Sequence, residues 1–196
     1  MGGRIATWPN LISLLRLGCV PWFLYLLWGA DRPAQAAWLL AVLGATDWID
    51  GWIARRYDQG SELGKILDPT ADRALLVAGA IALLVEDLPG VVHVFVWLVL
   101  VREVVIAVVT VGLAVMGARR IDVVWAGKAG TLAVMFSLPM LLLAHHLDGA
   151  WETPTWIGGW GFGVAGIGLG YYAAAQYVPE ARRALADGRA ARAHDD

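Results

Sequence analysis

Six apolar stretches, each about 20 residues long, divide this chain of 196 residues and leave it few ways to fold. A helix needs about 20 residues to cross the roughly 30 Å of hydrocarbon in a bilayer. The stretches run over about 9–30, 34–54, 66–85, 91–116, 123–145 and 156–178. Only short polar turns separate several of them, such as Asp31-Arg32-Pro33, Glu86-Asp87-Leu88-Pro89-Gly90 and Asp148-Gly149. Connections this short make consecutive helices antiparallel neighbours. A soluble domain carries about a quarter charged residues; here the charged share is 16% against 59% hydrophobic, which excludes disorder as well. The eleven tryptophans suit side chains at membrane–water boundaries. The net charge of −2 gives no basic footprint, so no nucleic-acid partner is expected. The single cysteine, Cys19, cannot close an intrachain disulfide. The first stretch is too long for a signal-peptide core, and no small-residue cleavage site follows it. The expectation is an all-α integral membrane protein of six transmembrane helices, a single domain over 1–196 with a short tail at 180–196.

The basic residues set an orientation. Arg4, Arg55, Arg56, Lys65, Arg119, Arg120, Arg182, Arg183, Arg189 and Arg192 fall on one side of the six spans, and only Arg32 on the other. Cytoplasmic loops are the ones enriched in Lys and Arg. Both termini and the loops near 55–65 and 117–122 are therefore expected in the cytoplasm, in a multi-pass protein of the plasma membrane.

Asp47, Asp50, Asp68 and Asp72 interrupt otherwise apolar sequence near the cytoplasmic ends of the second and third spans. A carboxylate at mid-membrane depth costs on the order of 2.5–3.5 kcal/mol, so four together need compensation. At 100° per residue, Asp47, Asp50, Gly51 and Ala54 share one helix face, and Asp68 and Asp72 share another. Antiparallel packing of the two helices would bring the faces together. Arg55, Arg73 and Arg102 could neutralise the cluster in a purely structural network. Metal is the other solution, and all-carboxylate donors suit Mg²⁺ or Mn²⁺ rather than Zn²⁺. Four carboxylates can hold two such ions, the usual clamp for displacement at phosphorus. Gly51 and Gly64 leave room for a ligand against the backbone, and Arg55 offers a planar fork to phosphate oxygens.

Asp47-x2-Asp50-Gly51-x2-Ala54-Arg55-x8-Gly64-x3-Asp68-x3-Asp72 resembles, position for position, the signature of the CDP-alcohol phosphatidyltransferase family. The resemblance implies homodimeric membrane enzymes with a polar cavity open to the cytoplasm that binds a CDP-linked lipid and divalent metal. It implies that Asp47, Asp50 and Asp68 ligate the metal holding the pyrophosphate, and that Asp72 lies near a second metal and acts as general base. Gly51, Ala54, Arg55 and Gly64 match the positions that cradle cytidine diphosphate. The implied reaction transfers a phosphatidyl group from CDP-diacylglycerol to an alcohol or phospholipid acceptor and releases CMP.

The acceptor is less sharply written. Trp8-Pro9-Asn10 followed by Arg16 is similar to the start of the phosphatidylglycerophosphate synthase and cardiolipin synthase branches, as are Arg102-Glu103 and Gly127-Lys128-x2-Thr131. Arg102 and Lys128 are candidate contacts for an acceptor phosphate, and Arg119 with Arg120 a landing strip for an anionic headgroup. Thr110, Ala129, Gly130 and Ala133 stand where many phosphatidylglycerophosphate synthases carry further cationic or amide groups. Glycerol-3-phosphate and phosphatidylglycerol are both open, with inositol phosphate or another alcohol behind them.

A transporter or proton channel would also place carboxylates in a membrane, but near the midplane and across inverted repeats. Here the aspartates gather at one face without a visible repeat. His145 and His146, at the far end of the fifth span, are expected to sit at the interface without chemistry. The Ala/Arg-rich tail is expected as a short surface helix.

Overall fold

The computed structural model describes residues 8–57, 64–115 and 125–195, with side chains described within 11–46, 67, 69–109, 111–112 and 125–176. Six α-helices follow one another: α1 Trp8–Leu24, α2 Pro33–Tyr57, α3 Gly64–Val85, α4 Gly90–Val115, α5 Trp125–His145 and α6 Glu152–Asp195. Among the described residues there is no strand. Residues 58–63 and 116–124 link α2 to α3 and α4 to α5 and lie outside the described set.

The first connection is built from a loosened helix end. Pro21 lies inside α1 and cannot donate a backbone hydrogen bond. The chain then widens into a π-helical turn, Tyr25–Gly29, where the Ala30 N–H reaches the Tyr25 carbonyl at 2.9 Å. Asp31 turns the chain with φ of 52°, a region that Asp tolerates better than most residues. Pro33 then opens α2, where its missing N–H costs nothing. A single 3₁₀ turn, Gly149–Trp151, precedes α6, and Gly149 takes φ of 85° there.

Three helical segments among the described residues are long and apolar enough to cross a membrane: Leu11–Gly29, Gly90–Val109 and Trp125–His145. Over its described side chains α2 contributes a shorter apolar segment, Pro33–Thr46, and the acidic motif begins at the next residue, Asp47. The outer face of α4 follows helical spacing. Val94, Trp97, Leu98, Val101, Val104, Val105 and Val108 are exposed on it, whereas Val92, Phe95, Val96, Val99 and Arg102 are buried. An apolar face outward and a charge inward is the inverse of a soluble helix. The protein is a helical membrane protein.

α5 is the hub, in contact with α2, α3 and α6. Leu138, Leu141 and Leu142 on it are fully enclosed. α5 and α6 approach so closely because small residues face each other. A methyl at Gly130 would sit 2.9 Å from the Gly166 carbonyl oxygen and 2.9 Å from the Gly170 nitrogen. Between membrane helices such packing replaces the hydrophobic driving force that lipid does not provide. Ser137 Oγ adds a buried interhelical bond, donating to the Gly159 carbonyl at 2.7 Å, and the Tyr171 hydroxyl donates to the Leu98 carbonyl at 3.3 Å.

The tail departs from expectation. It is helical, but it forms no separate surface helix: α6 continues unbroken over 44 residues from Glu152 to Asp195. The Ala- and Arg-rich sequence after Pro179 has high intrinsic helix propensity and extends the last helix.

Candidate active site

The acidic motif occupies the C-terminal turns of α2 and the N-terminal turns of α3, two helices in contact. Unbroken helix over 47–54 puts Asp47, Asp50, Gly51 and Ala54 on one face at i, i+3, i+4 and i+7. Asp68 and Asp72 stand one turn apart on α3, with Pro69 between them. The side chains of Asp47, Asp50, Ala54, Arg55 and Asp68 lie outside the described residues, as do the surroundings of Gly51 and Gly64. Arg119 lies there entirely.

Asp72 is the motif carboxylate whose surroundings are described. Its Oδ1 accepts a hydrogen bond from Arg16 Nη1 at 2.7 Å. Arg16 comes from α1, which packs along α3, and is only 2% exposed, while Asp72 keeps 28% exposure. A buried guanidinium thus holds one oxygen of a carboxylate that is still partly open to its surroundings. Ser13, one turn before Arg16 on α1, is buried as well. Arg73, next to Asp72, points outward and is exposed. Sequence reading considered Arg55, Arg73 and Arg102 as internal counterions and missed Arg16. The signal was available: Arg16 is the one charge in the first apolar stretch, and an intramembrane cation calls for a partner.

Arg102 forms a second polar centre, on the buried face of α4. Its Nη1 donates to Glu103 Oε1 at 2.5 Å and to Thr131 Oγ1 at 3.2 Å, and its Nη2 to the Gly127 carbonyl at 3.4 Å. The Thr131 hydroxyl also donates to Gly127, at 3.1 Å. Gly170 of α6 clears the space, since a methyl there would come within 2.5 Å of Arg102 Nε. The expected motifs Arg102-Glu103 and Gly127-x3-Thr131 are thus brought together across α4 and α5. Lys128 is exposed and has no place in this network.

Asp47, Asp50, Asp68 and Asp72 offer oxygen donors alone, at one-turn spacing on two touching helices. Such a set fits hard divalent cations.

A membrane protein of packed helices with an acidic, glycine-bearing helix pair at one end belongs to a narrow class, and comparison with known proteins fixes which. A family model described as CDP-alcohol phosphatidyltransferase matches residues 6–168, and the chain belongs to that family of phosphatidyltransferases. Among its relatives, a Streptomyces coelicolor protein named cardiolipin synthase (CMP-forming) is 35% identical over 188 residues, covering 92% of this chain and 85% of that protein. A Mycobacterium tuberculosis protein named putative cardiolipin synthase is 34% identical over 165 residues, covering 84% of this chain and 77% of its own length. The Escherichia coli CDP-diacylglycerol–glycerol-3-phosphate 3-phosphatidyltransferase is 33% identical over 196 aligned residues, covering 91% of this chain and 97% of that protein.

Proposed function

We propose that this protein transfers a phosphatidyl group from CDP-diacylglycerol to a glycerol-type acceptor, and that the acceptor is phosphatidylglycerol, giving cardiolipin and CMP. The observation that carries the choice of acceptor is the Arg102 centre. Its cation is matched by Glu103, so that point of the site presents little net positive charge to a headgroup. Lys128 is exposed outside the network, and Thr110, Ala129 and Ala133 add no cation. A doubly charged small phosphate would want more. The second reading, glycerol-3-phosphate giving phosphatidylglycerophosphate, is favoured by the similarity to the Escherichia coli protein over nearly its whole length.

The acceptor hydroxyl attacks the β-phosphorus of the CDP-lipid. A new oxygen–phosphorus bond forms, the bond to the CMP oxygen breaks, and the electron pair leaves with CMP. The hydroxyl proton passes to Asp72, whose carboxylate the hydrogen bond from Arg16 holds in place. General-base help of this kind is worth about 10²–10⁴-fold. Asp47, Asp50, Asp68 and Asp72 would hold Mg²⁺ or Mn²⁺, two ions, which when bound supply positive charge against the pyrophosphate and the departing CMP. Gly51, Ala54, Arg55 and Gly64 line the cytidine diphosphate. Arg119 serves as a contact for anionic headgroups.

In this reading all six helices cross the plasma membrane, the termini face the cytoplasm with ten of the fifteen basic residues, and the polar cavity opens to the same side. The chain forms one domain and works as a homodimer. The test incubates purified protein with CDP-diacylglycerol and, in turn, phosphatidylglycerol, glycerol-3-phosphate and inositol phosphate, and identifies the lipid product by mass spectrometry. Cardiolipin is expected. Phosphatidylglycerophosphate would install the second reading, and product with inositol phosphate alone would overturn both.

A further inference from the structure

At the end of the helices away from the acidic motif, three side chains the reaction does not use converge. Glu86 follows the last residue of α3, His145 is the last residue of α5, and His146 follows it. One ligand atom from each lies within 4.8 Å of the others. Fourteen residues of helix separate Glu86 from Asp72, about 21 Å along the axis at 1.5 Å per residue. The cluster is therefore separate from the catalytic end.

Its geometry comes from how the two helices stop. Consecutive residues in an α-helix diverge by 100°, so neighbouring histidines would normally point apart. Here the last turn of α5 tightens: the His146 N–H reaches back three residues to the Leu143 carbonyl at 3.0 Å, and the Leu147 N–H to Ala144 at 3.4 Å. The two imidazoles consequently meet edge to face, with centroids 4.9 Å apart. Glu86 is held from both sides, its N–H on the Ala82 carbonyl at 3.2 Å and its own carbonyl accepting from Leu88 at 2.8 Å. His146 Nε2 stands 3.3 Å from Glu86 Oε2, yet this buried nitrogen makes no hydrogen bond. A buried imidazole nitrogen without a bond, beside a carboxylate and a second imidazole, is placed as a metal ligand would be.

We infer that Glu86, His145 and His146 form a divalent metal site of the Zn²⁺ class. Two imidazoles and one carboxylate are borderline donors, suited to Zn²⁺ and Co²⁺ and poorly to Mg²⁺. Tetrahedral ligands at about 2.0–2.1 Å from Zn²⁺ lie roughly 3.4 Å apart, so small side-chain rotations close the set. His145 is exposed and Glu86 and His146 only about a fifth exposed, at 21% and 22%, which leaves the fourth position to water. A bound ion would tie the end of α3 to the end of α5.

The test uses the full chain in nanodiscs with saturating Mg²⁺, which the acidic motif takes up. Co²⁺ is titrated and its visible absorption followed. One equivalent with the intense bands of four-coordinate, nitrogen-ligated Co²⁺, displaced by Zn²⁺, is expected. His146→Gln, His145→Gln and Glu86→Gln should each weaken binding by more than the roughly 10–100-fold that loss of even an outer-sphere partner costs. CMP release from the same samples shows that each variant is folded. X-ray absorption of the wild type carrying one equivalent of Zn²⁺ needs no variant, and two imidazoles in the coordination shell are expected. An all-oxygen shell, or Co²⁺ binding unchanged in the three variants, would overturn the site.

Discussion

Arg16 Nη1 and Asp72 Oδ1 meet at 2.7 Å across 56 residues of sequence, one from the first helix and one from the third. The pair fastens the N-terminal helix to the acidic end of α3 and fixes one oxygen of the carboxylate proposed as base. Its loss should therefore be felt in both folding and turnover.

Arg16→Gln removes the buried guanidinium and its bond to Asp72 Oδ1. A charged hydrogen bond is worth about 1.5–3 kcal/mol, and the 28% exposure of Asp72 puts the cost toward the lower figure. Thermal unfolding in detergent should report that loss, and CMP release should fall alongside it. Wild-type activity at wild-type stability would mean that the pair serves neither role.

Asp72→Asn keeps the shape and removes the proton acceptor. CMP release should drop about 10²–10⁴-fold, while binding of the CDP-lipid, measured by equilibrium competition, should stay within a few-fold. Loss of binding would instead make Asp72 chiefly a metal ligand.

Chelation tests the acidic cluster. Removing divalent cations should abolish CMP release, and Mg²⁺ or Mn²⁺ should restore it where Ca²⁺ does so poorly, because the larger ion prefers more ligands at longer distance. Activity that survives complete chelation would return the four aspartates to a structural role.

The glycines of α5 and α6 separate into two kinds. Gly130→Ala drives a methyl against the backbone of α6 at 2.9 Å and should cost about 1–3 kcal/mol. Gly161 and Gly168 meet nothing within 4 Å, so alanine there should be neutral or gain up to about 1 kcal/mol from helix propensity. Unfolding midpoints of the three variants check the division.

Ser137→Ala deletes the buried bond to the Gly159 carbonyl. Interhelical hydrogen bonds in membranes average about 0.6 kcal/mol, so the midpoint should move only slightly. A shift several times larger would mean that the serine organises more of the α5–α6 seam than one bond.

Helix number and order, and most helix ends to within a few residues, were legible in the sequence, because apolar runs and short polar turns are local signals; the end of α6 at Asp195 was not, since no apolar run marks its last turns. The acidic motif was legible for the same reason: its spacing lies within two neighbouring helices. The Arg16–Asp72 pair was not, since nothing local says which helix will lie beside α3. The partners of Arg102 were half legible. Glu103 and Thr131 were both singled out, but only the crossing of α4 and α5 tells that they satisfy the arginine, and Lys128 does not join them. His145 and His146 read as an unremarkable helix end until the tightened last turn of α5 and the stop of α3 set Glu86 beside them.

α6 carries a consequence of its length. Forty-four helical residues extend about 66 Å, more than twice the roughly 30 Å of hydrocarbon. Whatever depth its glycine-rich part occupies, some 30 Å or more of unbroken rod must stand in headgroups or water.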